Sequence, residues 1–227
     1  MTDLEKTLVL RPTYDGPSAI GSQTGLKLLR AGCRLVDSTG CSDVARHRCE
    51  IATSALPIIE KGNHDWVLWL DGDIGADVQD LEDLIALSRA VSKSENVLMS
   101  ASYSTRANPK LRAACPAGAE VWRYGEHLAM PIIGAGMGFL LQPAKAFYQQ
   151  VMGAPFVEQG FHAICESKAV HGQWLSEDFD YCARARASGQ LTYVALTVRV
   201  THEMKVGALP EAPDPSLIKA LPDNLYR

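Results

Sequence analysis

The chain has 227 residues, a 47% hydrophobic fraction and a formal net charge of -4, proportions that favour one packed domain with a substantial core. So small a charge, with no strongly basic or acidic block, excludes a broad electrostatic footprint for nucleic acid, while a local basic patch stays open. The six cysteines, Cys33, Cys41, Cys49, Cys115, Cys165 and Cys182, contain no C-x-x-C pair and no zinc-type spacing. They exclude a zinc module and a disulfide scaffold and are expected to be reduced and mostly buried.

At the N-terminus, acids precede a very short apolar run, unlike a signal peptide, and no apolar run reaches membrane-spanning length. A soluble cytoplasmic protein without a transmembrane segment is expected. Residues 7–10 read as a buried strand that stops at Arg11-Pro12, because proline donates no ladder hydrogen bond and restricts the residue before it. Pro12, Thr13, Tyr14, Asp15 and Gly16 then form a loop at a strand's carboxyl end, either an ordinary turn or a place where Tyr14 stacks on a flat ring and Asp15 accepts from its edge.

Ser18 is a suitable N-cap for a helix to about residue 31, with Gly32 as its stop. Residues 33–36 give a second strand and 37–41 a loop, after which Ser42 or Asp43 caps a helix carrying Val44, Ile51, Ala52 and Ala55 on its apolar side. Arg46 and Arg48 sit in its first turns on different faces, so one can point into a cleft as a phosphate ligand and the other is a solvated charge.

Residues 65–75, DWVLWLDGDIG, are the most informative stretch. Trp66, Val67, Leu68, Trp69 and Leu70 have the composition and length of a buried strand, which ends in Asp71, Gly72 and Asp73. In open α/β sheets ligands bind at the carboxyl ends of strands, so two acids there point to a divalent cation, although Asp and Gly also build plain turns. Residues 78–92 read as an amphipathic helix with Leu81, Leu84, Ile85 and Ser88 on one face, and 96–102 as a fourth strand. Strand and helix thus alternate through the first hundred residues, the signature of a parallel sheet covered on both faces.

Periodicity is lost over 103–130, where Arg106, Lys110, Arg112 and Arg123 outnumber Glu120 and Glu126. Such an insertion is either a solvated loop or a functional one with an anionic partner. Residues 131–141 hold Gly134, Gly136 and Gly138; this spacing in mid-chain does not fit a dinucleotide fingerprint and implies close backbone approach to a ligand or tight packing. A helix starting at Pro143 follows. Residues 176–189 form a well-marked helix: Ser176 as N-cap, Glu177, Asp178 and Asp180 in its first turns, and Gly189 at its end. Residues 191–200 give one or two strands that lead to Thr201, His202 and Glu203, and 208–227 carry four prolines and little periodicity.

In this order, PTYDG, VARHR, LWLDGDIG, IGAGMGFLL, LSEDFDYCARARASG and VTHEMKVG resemble the motifs of GT-A fold glycosyltransferases, in particular compact, single-domain, family-2-like members similar to phage and bacterial ones. The resemblance implies an α/β, Rossmann-like mixed sheet, mainly parallel and flanked by helices, in a single domain over 1–227. Residues 1–102 would be the nucleotide-binding half, 103–207 the acceptor and catalytic half, and 208–227 a tail or lid. It implies a metal-dependent, inverting transfer of a hexosyl or pentosyl group from a nucleotide-diphosphate sugar, with Mn2+ or Mg2+ held by the DxD element and a later histidine.

By that resemblance Asp73 and His202 are metal ligands, and Asp71 touches the ribose or sugar side of the donor and belongs to the same metal-binding element. Pro12, Thr13, Tyr14 and Asp15 line the nucleoside pocket with Arg46 or Arg48 nearby, Ala135 and Gly136 lie near the donor sugar, Trp174 forms an acceptor or sugar platform, and Lys205 reaches the diphosphate. Asp178 is the base, kept ionised by its helix terminus, with Glu177 in support. Relatives usually carry Asn where this chain has Cys49.

The acceptor is a hydroxyl on a saccharide or a lipid-linked glycan, or on a hydroxymethylated pyrimidine in DNA; the cationic loop suits an anionic acceptor of that last kind or a phospholipid-linked one. Two other classes compete. A haloacid-dehalogenase-like phosphatase would use Asp71 as nucleophile, but has Thr or Val where Gly75 stands. A non-catalytic nucleotide-sugar-binding protein would have no need of the Glu177-Asp178 pair.

Overall fold

The computed structural model describes residues 1–91, 96–104, 113–118, 121–170 and 172–203. In chain order they form β1 Thr7–Thr13, α1 Ala19–Arg30, β2 Arg34–Thr39, α2 Val44–Lys61, β3 Trp66–Leu70, β4 Ile74–Gly75, α3 Val78–Val91 and β5 Val97–Ser102. Then come β6 Ala114–Pro116, β7 Trp122–Tyr124, β8 His127–Ala135, β9 Phe139–Pro143, α4 Ala144–Gly153, β10 Lys168–Val170, β11 Gln173–Leu175, α5 Glu177–Ala187, β12 Leu191–Arg199 and β13 Thr201–His202.

The central sheet has 9 strands in the order β2-β1-β3-β9-β5-β12-β8-β6, with β7 also paired to β8. The β1–β2, β1–β3 and β5–β12 pairs are parallel, and only β8 and β9 run against the common direction. Side chains of β3 alternate between two cores, as the two-residue period of a strand dictates. Trp66, Leu68 and Leu70 pack with Leu28 of α1 and with Leu81, Leu84 and Ile85 of α3. Val67 and Trp69 pack on the other face with Ile51, Ala52 and Ala55 of α2, Phe147 and Val151 of α4, and Tyr181 and Ala185 of α5. The expected mainly parallel, helix-flanked sheet is therefore present, and Asp43 resolves the choice of cap by accepting from the Arg46 N–H at 3.1 Å.

Several expected boundaries are corrected. β1 does not stop at Arg11-Pro12: its ladder to β2 runs on through Pro12↔Ser38 and Thr13↔Thr39, while its ladder to β3 ends at Leu10↔Trp69. Past Leu10 the strand borders only β2, so a proline is tolerated there as on an edge. β2 likewise continues to Thr39, through residues expected to form a loop. The region expected to be irregular between 103 and 130 contains β6, β7 and the start of β8, short strands with too few residues for a period-2 signal to register. Residues 191–199 are one strand, with a register shift between Ala195 and Arg199 against β5.

The order β2-β1-β3 places successive parallel strands on opposite sides of β1, which creates a topological switch point at the carboxyl ends of β1 and β3. There the chain is drawn very close. The Ser18 N–H donates to the Gly72 carbonyl at 2.7 Å, and a Cβ on Gly21 would lie 2.0 Å from that same oxygen. Only glycine lets α1 sit this near the DGD turn.

Candidate functional site

Each predicted acid reaches this rim by its own route. Asp71 directly follows β3, and its N–H donates to the Gly138 carbonyl at 2.9 Å, which ties the DGD turn to the start of β9. Asp73 precedes β4, which pairs antiparallel with β13 through Ile74↔His202 and Gly75↔Thr201. This two-stranded ladder, closed by a hydrogen bond from the Glu203 N–H to the Asp73 carbonyl at 2.8 Å, brings His202 back across more than a hundred residues of sequence. Its Nε2 lies 3.4 Å from Asp73 Oδ2. The other ring nitrogen, Nδ1, is 3.0 Å from the Ser104 carbonyl. A carbonyl only accepts, so Nδ1 carries a proton, which leaves Nε2, beside the carboxylate, as the ring nitrogen open to a cation.

That pair has the chemistry of a partial metal site. Two donors at right angles on an octahedral ion, each about 2.1 Å away, would be about 3.0 Å apart, close to the observed spacing. Carboxylate and imidazole together accept Mn2+ or Mg2+, with Mn2+ more tolerant of nitrogen. Among the described residues no group of three or more His, Cys, Asp or Glu forms a ready cage, so the remaining ligands would come from elsewhere.

Asp71 belongs to a different constellation. The side chain of Arg48 is 3% exposed, and its Nη2 contacts both Asp71 oxygens, at 3.1 and 3.4 Å. Its Nη1 donates to Glu177 Oε1 at 3.0 Å and to Asp178 Oδ1. The two arginines of α2 thus take opposite fates, as their placement on different faces requires. Arg46 is exposed and pairs with Glu50 one turn on at 2.7 Å, so it does not reach the cleft; Arg48 enters it but is already committed to carboxylates.

Burial pushes the Asp178 carboxyl up to about 6; Arg48 opposes this, Asp71 and Glu177 reinforce it, and the Met137 N–H lowers it through a hydrogen bond. The helix terminus alone does not set this carboxyl: desolvation and two neighbouring acids raise it, yet at about 6 it is still mostly ionised at neutral pH. Ser176 occupies the cap position, yet its side chain makes no capping bond. Glu177 also accepts from the Ser167 hydroxyl at 2.9 Å.

The nucleoside-pocket candidates divide. Pro12 and Thr13 are buried within β1, whereas Tyr14, 60% exposed, and Asp15 stand free at the strand's end. Trp174, 73% exposed on the β10–β11 hairpin, lies in the segment that leads into α5. Gly136 has a packing explanation: a Cβ there would lie 2.3 Å from the Tyr103 hydroxyl, so the glycine fits a buried phenol. Lys205, like Arg106, Lys110 and Arg112 of the cationic loop, lies outside the described residues; Arg123 is exposed on β7.

Sequence inspection missed three contributors. Arg11, buried under α1, makes a two-armed pair with Asp37 at 2.5 and 2.7 Å and donates to the Gly21 carbonyl at 2.7 Å, which braces the switch point. Tyr103 accepts from the Gly138 N–H at 2.8 Å and meets the His202 ring edge-on at 5.7 Å between centroids. Buried His47 contacts the Ser38 hydroxyl at 2.8 Å, beside the end of β1, and burial lowers its proton affinity. A basic residue inside an apolar strand, with the acid of RLVD on the adjacent strand, was the available signal for Arg11; nothing local marked Tyr103.

No protein-family model matches the chain, and no curated protein matches it. Among solved structures, the crystal structure of A197 from STIV is similar over 88% of this chain and 86% of that one, with a TM-score of 0.57 and 17% identity. The structure of GalNAc-T7 with UDP, GalNAc and Mn2+ is similar over 96% of this chain and 46% of that one, with a TM-score of 0.54 and 10% identity. This chain therefore spans less than half the length of GalNAc-T7. At such identities the likeness carries the fold, which is of the GT-A kind.

Proposed function

We propose that this protein is a metal-dependent glycosyltransferase that moves a sugar from a nucleotide-diphosphate donor to a hydroxyl acceptor. The observation that carries this reading is the meeting, at one switch point, of Asp73 and His202 as a cation-binding pair with Asp178 as a partly buried carboxylate. The neighbour GalNAc-T7 was solved with UDP, GalNAc and Mn2+, which supports a nucleotide sugar and a divalent ion for this fold.

In this reading Asp73 and His202 would hold Mn2+ or Mg2+. When bound, the ion supplies Lewis-acid stabilisation of the charge that builds on the departing nucleoside diphosphate. Tyr14 and Asp15, exposed at the end of β1, receive the nucleoside above Pro12 and Thr13; Asp71 faces the ribose or sugar side; Lys205 serves the diphosphate. Trp174 offers its open indole face to a sugar ring, with Gly136 behind the donor sugar. Asp178 accepts the acceptor's hydroxyl proton; the freed oxygen attacks the anomeric carbon while the bond to the diphosphate breaks, which inverts the centre.

The acceptor is a saccharide, a lipid-linked glycan or a hydroxymethylated pyrimidine in DNA. The phosphatase reading requires Asp71 as a free nucleophile, and both its oxygens lie on Arg48. A panel of nucleotide sugars, each with and without Mn2+, tests the proposal by thermal shift and by release of nucleoside diphosphate. Stabilisation by one sugar nucleotide only when Mn2+ is present is expected. No shift with any donor, or phosphate release from simple monoesters, would sink it.

A further inference from the structure

Arg48 has no part in the chemistry just described, although it is the most heavily engaged charged side chain near it. A single carboxylate would balance the charge of a buried arginine, yet Arg48 faces Asp71, Glu177 and Asp178. Burying charge in this way is costly, and apolar residues in place of the whole cluster, arginine and acids together, are often neutral or better for stability. The arrangement therefore calls for a reason beyond holding the fold.

The carboxylates come from two elements that are distant in sequence. Asp71 directly follows β3, at the donor side of the rim, and Glu177 and Asp178 open α5. Neither element holds the other through a direct ion pair between these acids, since all carry the same sign. Arg48 supplies the missing link from α2, which is itself anchored by buried Cys49, Ile51, Ala52 and Ala55. The fork of the guanidinium matters: Nη2 serves Asp71 while Nη1 serves Glu177 and Asp178. A lysine ammonium, a single point of charge, does not span two such sites.

We infer that Arg48 is a positioning residue, a clamp that sets the distance between the Asp71 end of the donor site and the Asp178 carboxylate, rather than a ligand of the donor's phosphates. This rests on the transferase reading. It gives Arg48 a different kinetic signature from a phosphate ligand. A clamp acts on the geometry of the reacting groups, so its loss lowers kcat; loss of a phosphate ligand raises the donor KM.

The test compares wild type, Arg48→Lys and Arg48→Gln with the nucleotide sugar and Mn2+ that the panel selects, measuring kcat and donor KM for transfer together with the Mn2+-dependent thermal shift. For Arg48→Lys we expect kcat to fall about 10- to 100-fold, with donor KM and the Mn2+-dependent shift within about twofold of wild type. Should Arg48→Gln fail to fold through the excess of acids, Arg48→Gln combined with Glu177→Gln removes one of them and is expected to fold with a kcat well below that of Glu177→Gln alone, and equal kcat in the two overturns the clamp. An active wild type whose Arg48→Lys variant keeps its kcat, or loses donor KM instead, overturns the clamp alone. A wild type that neither binds nor turns over any sugar nucleotide with Mn2+ overturns the transferase reading and the clamp with it.

Discussion

Asp71 and Asp73 are separated by one glycine and answer to different partners. Asp73 faces His202 at 3.4 Å, and Asp71 faces the Arg48 guanidinium. Their substitutions should therefore separate by readout. Asp73→Ala is expected to abolish both transfer and the Mn2+-dependent thermal shift, whereas Asp71→Ala keeps the Mn2+ response and weakens donor affinity; titration calorimetry with Mn2+ checks the first and donor KM the second. Asp178, pushed up to about 6 chiefly by burial, gives a second residue-scale expectation. A base must be deprotonated, so kcat/KM should rise with pH through an acidic limb near 6, and Asp178→Asn should lower kcat by about 10²- to 10⁴-fold with the donor KM retained. Stability runs the other way. Because the folded protein binds this proton more tightly than the unfolded chain, the contribution is complete below the ordinary carboxylate range and lost as pH rises through about 6. Asp178→Asn should accordingly melt above wild type at pH 8, with the gap narrowing at pH 5, as differential scanning calorimetry would show.

At the scale of elements, α1 and the DGD turn work as one joint. The Gly21 backbone meets the Gly72 carbonyl so closely that a Cβ on Gly21 would lie 2.0 Å from it, and that oxygen already accepts from Ser18. Since the obstacle is backbone rather than a flexible side chain, Gly21→Ala must displace the turn. A penalty of about 1–3 kcal/mol is expected, or roughly 2–4 °C of melting temperature per kcal/mol for a domain of this size. Loss of donor affinity should accompany the fall in Tm, because the displaced turn carries Asp71 and Asp73. α5 is held differently, from below. Gln142 of β9 donates to Gln150 at 2.9 Å and to Gln190 at 2.7 Å and accepts from the Tyr181 hydroxyl at 2.5 Å, so a buried amide cluster fixes the helix that presents Glu177 and Asp178. Buried polar networks of this kind rigidify when every member is satisfied.

Across the whole molecule, the two hydrophobic cores lie on opposite faces of the sheet, and the carboxylates gather at the ends of its strands. The burial that holds the fold is thus separate from the groups proposed to hold a cation. Chelation with EDTA should leave the Tm of the donor-free protein unchanged and remove the stabilisation by the donor. A fall in the donor-free Tm on chelation would instead make the ion a structural element. No helix among the described residues is long and apolar enough to cross a membrane.

Much of this architecture was legible in the residues themselves, for reasons that are local. The run from Trp66 to Leu70 alternates between two cores and needs no partner to read as a buried strand, and Ser18, Gly32 and Gly189 punctuate helices through backbone chemistry that is their own. The acids Asp71, Asp73, Glu177 and Asp178 and the late His202 were visible as residue types able to do the chemistry. Which of them meet was settled only by the tertiary structure. The partition of Asp73 to His202 depends on the β4–β13 ladder, and that of Asp71 to Arg48 on the first turns of α2 lying within reach of the DGD turn. The same holds for the elevated proton affinity of Asp178, which reflects burial beside other acids rather than its place on a helix, and for Gly136, whose reason is the Tyr103 hydroxyl. Dihedral preference and hydrophobic period act within a few residues and so are written along the chain. Desolvation, ion pairing and close approach act through space, and exist only once strands remote in sequence share a rim.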